Sequence, residues 1–100
     1  MAIKEVVVRT RPNTSVNFSA PNENGLPNNW GSLELASGEL ISFDESFSAD
    51  GLTKTVTTIF KDEEAKTNYN DNSTYRSAMN TVKAEDVNNN ITKTVTITEV

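Results

Sequence analysis

Three consecutive valines, Val6-Val7-Val8, inside the segment from Ile3 to Arg11 do most to limit the folds open to this chain. Successive residues of a strand point to opposite faces, so this run presents apolar side chains both ways and needs cover on both sides. Ile3 and Val7 fall on one face, Val6 and Val8 on the other. The segment therefore reads as an inner strand of a sheet, ended by Pro12, which cannot donate to a ladder.

Other elements follow from spacing. Glu39 to Ser48 alternates, with Ile41, Phe43 and Phe47 expected on one face and Ser42, Asp44, Ser46 and Ser48 on the other. Asp50-Gly51 is a tight-turn signal, and Leu52 to Phe60 returns as a β-branched partner strand, closing a hairpin. Asp62 can cap a helix whose first turn carries Glu63 and Glu64, where negative charge suits the helix dipole. Ala65 and Tyr69 share a face of that helix, and Tyr75, Ala78, Met79 and Val82 resume the spacing beyond Asn70-Asp71-Asn72-Ser73. One interrupted helix or two short ones are expected there. Asn88-Asn89-Asn90 ends the segment, and Ile91 to Glu99 alternates as a last strand, with Ile91, Val95 and Ile97 inward and Thr92, Thr94, Thr96 and Thr98 outward.

The region from Pro12 to Gly38 is rich in proline, glycine and asparagine. Leu26 to Ser37 fits a short helix with Pro27 in its first turn and Gly38 past its end, but Ser32 to Leu35 fits a strand turning at Ser37-Gly38 equally well.

These elements make one α+β domain spanning residues 1–100, a four-stranded antiparallel sheet with helix packed on one face, which is the ferredoxin-like plan. The Asp50-Gly51 hairpin, the Phe60-Lys-Asp-Glu-Glu-Ala65 junction and the closing Asn90-Ile-Thr-Lys-Thr-Val95 strand resemble the dimeric ferredoxin-like, or dimeric α+β barrel, proteins over roughly the last 60 residues. The resemblance implies homodimers that pack sheet against sheet, and includes small cofactor-independent oxygenases among the relatives. It transfers no catalytic residue, because the chain has no histidine.

Composition narrows the chemistry. With neither Cys nor His, no disulfide, thiolate metal site, Cys-His pair or Ser-His-Asp triad can be assembled, and no cofactor is called for. The net charge of −5, with lysine and arginine scattered, disfavours nucleic acid as a partner. No apolar run approaches the ~20 residues that span a bilayer, and Met1 to Glu5 lacks a signal-peptide core, so membrane is excluded as a partner and the chain reads as cytoplasmic or part of a particle assembled there. Only 35% of residues are apolar, which leaves a lone monomer little to bury and points to a homodimer or larger homo-oligomer.

Candidate sites are few. Asp86 to Asn90 begins like a calcium loop, but Ile91 and Ile97 stand where glycine and a bidentate glutamate are required, and the Asn68 series has Ser73 at its glycine position. No metal site is therefore expected. Glycosylation-type triplets at Asn13, Asn17, Asn72 and Asn90 follow from the composition. Asp44-Glu45 points to opposite faces, and Asp62-Glu63-Glu64 is explained by capping, so neither makes an acid/base pair. The threonine ladders, Thr53-Thr55-Thr57 and Thr92 to Thr98, are the ordinary outer face of a β-rich sheet.

Trp30, Tyr69, Tyr75, Arg9 and Arg11 remain as large side chains able to donate hydrogen bonds to a small ligand. Their ordinary alternative is core packing for the aromatics and a solvated strand end for the arginines. The sequence thus reads first as a non-enzymatic, homo-oligomeric interaction or assembly protein, a description that also fits a particle component. The alternative is a small-molecule-binding or oxygenase-like enzyme with an enclosed pocket at Trp30 and a tyrosine.

Overall fold

The computed structural model describes the backbone of residues 1–19 and 30–100, and the side chains of 1–19 and 34–100. The elements run β1 (Ile3–Thr10), α1 (Trp30–Ser37), β2 (Leu40–Phe47), β3 (Thr53–Phe60), α2 (Glu63–Asp71), α3 (Ser73–Asn88) and β4 (Thr92–Glu99). The sheet is antiparallel with strand order β2-β3-β1-β4, so the valine-rich strand is indeed an inner one.

Residues 30–37 resolve as helix rather than strand, ending at Gly38 with a positive φ of 83°, a conformation open to glycine and strained for other residues. The expected first turn from Leu26 lies outside the described residues. Asp62 caps α2 by accepting from the Ala65 amide at 2.8 Å. Asn72 divides the following helical stretch: its side chain accepts from the Thr74 and Tyr75 amides at 3.0 and 3.1 Å and starts α3 afresh. Asn72→Ala is expected to cost about 1 kcal/mol of stability in urea unfolding, and Asn72→Asp to cost almost nothing, because only the side-chain acceptor is at stake. Equal losses in both variants would show that the cap carries no weight.

Cross-strand partners share a face, so the register sorts the side chains. The helix-side face carries Ile3, Glu5, Val7 and Arg9 from β1, Phe60, Thr58, Val56 and Lys54 from β3, Lys93, Val95 and Ile97 from β4, and Leu40, Phe43, Glu45 and Phe47 from β2. Ile3, Leu40, Phe60 and Ala65 form the buried cluster, with Tyr69 packed on it. The opposite face carries Val6 and Val8 flanked by Thr53, Thr55 and Thr57 on one side and Thr92, Thr94, Thr96 and Thr98 on the other.

Two expectations need correction. The strict alternation drawn through Ile41 fails because the pairing slips between Leu40 and Ser42, a β-bulge that inserts one residue. Leu40 is thereby the core residue at 2% exposure, while Ile41 stands 55% exposed. On β4, Ile91 is buried as expected, but Val95 and Ile97 are 46% and 50% exposed, because they lie on the edge strand.

Candidate active site

A cavity of about 260 Å³ lies between the sheet and α3. Its floor is the middle of the helix-side face, Glu5, Val7 and Arg9 of β1 with Lys93 and Val95 of β4; its roof is Tyr75, Met79, Val82, Lys83 and Asp86 of α3. The strand period of two and the helix period near four bring these residues together. Ala78, Val82 and Asp86, each four apart, form the buried stripe of α3, so an acid occupies the third place on an apolar face.

That acid meets Arg9. Arg9 Nε donates to Asp86 Oδ2 at 3.0 Å and its Nη2 donates to Oδ1 at 2.6 Å, a bidentate pair with both side chains nearly buried. Arg9 Nη1 also donates to the Ser19 carbonyl at 3.2 Å, and the Phe18 ring lies 5.1 Å from the guanidinium carbon. Reading the arginines as a solvated strand end is therefore wrong. Arg9 is 7% exposed because its position in β1 continues the face of Ile3 and Val7, which α3 covers. Arg11 is not part of the cavity lining; it donates to the Gly51 carbonyl at 2.9 Å and the Val16 carbonyl at 2.8 Å, and its guanidinium carbon lies 4.8 Å from the Phe18 ring.

The aromatic residues take separate parts. Tyr69 packs between Phe60, with ring centroids 5.3 Å apart, and Tyr75, at 4.6 Å. Tyr75 alone of the two lines the cavity. Burial, with Tyr69 and Glu5 adding to it, pushes its hydroxyl above the usual phenol range, so it stays protonated. Trp30 opens α1, and its side chain lies outside the described residues. The structure thus brings Arg9 and Tyr75 into one cavity and places Tyr69 behind it and Arg11 beside the hairpin.

The sequence singled out none of Glu5, Lys83 and Lys93, and Asp86 entered it only as the start of a loop that fails as a calcium site. Three of them sit where polar residues are ordinary, and the one signal available was Asp86 on the Ala78-Val82 stripe. Burial first, then the Lys83 charge, holds Lys93 below the usual lysine range; Arg9 adds to this, and Asp86 and Glu5 oppose it. Among the described residues no group of His, Cys, Asp or Glu side chains is arranged to hold a metal ion, and no helix is long and apolar enough to cross a membrane.

No family model matches the sequence, and no curated protein does. Solved structures do match in shape. A dimeric ferredoxin-like protein from an uncultured marine organism aligns with a TM-score of 0.65 at 16% identity over 99% of this chain and 94% of its own. The chain has the fold of the dimeric ferredoxin-like proteins. A conserved Bacteroides thetaiotaomicron protein of unknown function aligns at 0.70 and 11% identity, covering 99% and 97% of the two chains. SnoaB, a cofactor-independent oxygenase from Streptomyces nogalater, aligns at 0.64 and 11% identity, covering 99% and 92%. The ferredoxin-like plan expected from the order of elements is thus observed directly, while the fold by itself hosts many functions.

Proposed function

We propose that this ferredoxin-like chain is a homodimer that binds a small organic molecule in the cavity beneath α3. The carrying observation is the lining itself: Val7, Met79, Val82 and Val95 supply apolar wall among a larger set of charged and amide side chains, of which the buried Arg9-Asp86 pair and Tyr75 are held in place by their contacts. Concave sites that combine apolar wall with fixed polar groups are the usual form of a ligand site. Binding is what this geometry supports; an oxygenase-like reaction has only the likeness to SnoaB behind it. Titration of labelled protein with 2-naphthol, followed by amide and methyl NMR, tests the site. Shift changes confined to Val7, Tyr75, Met79, Val82 and Val95 are expected. Changes scattered over the surface, or none at millimolar probe, would remove the cavity as a binding site.

The assembly part of the reading rests on the opposite face. Val6 and Val8 lie only half covered in the single chain, between two threonine ladders, and a self-complementary patch is the simplest route to a closed dimer. Several solved structures of this fold are described as dimeric ferredoxin-like proteins. Light scattering during size exclusion is expected to give twice the 11.0 kDa chain mass. Thr94, the cross-strand partner of Val8, is exposed in the chain. Thr94→Asp should keep a cooperative melt and weaken dimerisation by about 100-fold, the cost of placing a carboxylate in a covered face. A Thr94→Asp protein that is as dimeric as the parent would move the interface elsewhere.

A further inference from the structure

The cavity's charges do not cancel. Its lining holds four cations, Arg9, Arg76, Lys83 and Lys93, against three carboxylates, Glu5, Asp71 and Asp86. This is a local positive excess on a chain whose net charge is −5, carried by Lys83 and Lys93, which are both exposed to solvent. Two of the pairs are internally satisfied: Arg9 takes both oxygens of Asp86, and Arg76 Nη1 reaches Asp71 Oδ1 at 3.4 Å. Neither Lys83 nor Lys93 has an ion-pair partner among the described residues.

The register fixes where these charges lie. Lys93 is the cross-strand partner of Arg9, and Ile97 is the partner of Glu5, so the lysine and the glutamate stand at opposite ends of the β1–β4 floor. Four residues of strand separate Glu5 from Arg9, about 13 Å. Between them run Val7 and Val95, roofed by Met79 and Val82. Lys83 lies one helical turn before Asp86 on α3 and raises the cost of charging Lys93. Asp86 offsets only part of this repulsion, since both its oxygens are held by Arg9. Along the floor the two ammonium groups lie toward Arg9, and Glu5 with the protonated Tyr75 hydroxyl lies toward the other end of an apolar stretch, although the Glu5 charge still reaches Lys93.

We infer that Lys83 and Lys93 form the seat for the anionic group of the ligand, a small amphipathic carboxylate whose apolar body lies along Val7, Val82 and Val95. This rests on the cavity being a ligand site, and deepens it by naming the ligand's chemical class. A carboxylate placed there removes the lysine–lysine repulsion and gains charge-assisted hydrogen bonds, which are about twice as strong as neutral ones. A cavity of about 260 Å³ accommodates a two-ring acid; an apolar cavity of roughly 150 Å³ already holds benzene. Anion binding draws Lys93 back toward its ordinary ionisation. Affinity should therefore fall as pH rises through the lowered Lys93 range, with Lys83, Asp86, Arg9 and Glu5 as the charged groups facing it.

The test compares 2-naphthoate with 2-naphthamide, which share size and shape and differ in charge, by calorimetry and methyl NMR on the intact protein. At low salt the naphthoate is expected to bind about tenfold more tightly, an advantage lost in molar salt, where exposed charges are screened. Lys83→Gln/Lys93→Gln should bring the naphthoate down to the naphthamide affinity and leave naphthamide unchanged. Lys93→Met, which keeps the apolar stem, should show most of the same loss. Equal affinity of both probes for the parent protein, with shifts at Val7 and Val82, would overturn the anion seat and leave the cavity standing. No shift at these residues with either probe would overturn both.

Discussion

Asp86→Ala is expected to lower unfolding stability by about 3–5 kcal/mol, because it leaves the Arg9 guanidinium buried without its counter-charge. A domain of this size has ~5–15 kcal/mol in all, so much of the protein should be unfolded at modest urea. The second half of the expectation separates charge from packing. Asp86→Leu combined with Arg9→Met removes both charges while keeping apolar volume, and should recover most of the loss, since well-packed hydrophobic replacements of buried ion pairs are often neutral or better. Urea midpoints for the two variants decide the matter; a double variant as weak as Asp86→Ala would mean that the pair is not the source of the cost.

Phe60→Ala should be comparably severe, about 3–5 kcal/mol, for a different reason. Phe60 is 1% exposed, lies at the end of β3 against Leu40 and Ile3, and meets the edge of the Tyr69 ring. Truncation removes the apolar contact and leaves a hole under the start of α2. Phe43→Ala serves as the comparison: that ring is 44% exposed, and its loss should cost about 1 kcal/mol or less. Similar losses at both positions would indicate that the helix-side face of β2 is covered in the native assembly.

The fold was largely legible because its signals are local and mutually consistent. Val6-Val7-Val8 pointed to an inner strand, Asp62 to a helix start, and Asp50-Gly51 to a tight turn, and the structure has each of them, with Gly51 taking a positive φ of 74°. The bulge at Ile41 was not legible. A single inserted residue reverses which side chains face inward, and no residue type near Leu40 announces it. The site was harder still. Arg9 and Asp86 are 77 residues apart, and each alone resembles an exposed polar position; only the packing of α3 over β1 makes them a pair. Lys83 and Lys93 acquire meaning in the same way, from a cavity that exists only after the sheet and α3 have met.

Synthesis of the chain runs from β1 to β4, yet β1 is one of the two strands flanked on both sides in the finished sheet. Its first neighbour, β3, spans Thr53–Phe60, and its second, β4, spans Thr92–Glu99. A growing chain therefore carries Val6-Val7-Val8 with at least one open ladder edge until the last strand is made, and closes both edges through contacts that are distant in sequence. Such topologies fold slowly, and an unpaired apolar strand is the part of a chain most prone to pairing with the wrong neighbour. The lysine and threonine pattern of Thr92-Lys93-Thr94, which arrives last, then gives the exposed edge of the completed sheet a polar, charged border that discourages further strands from adding.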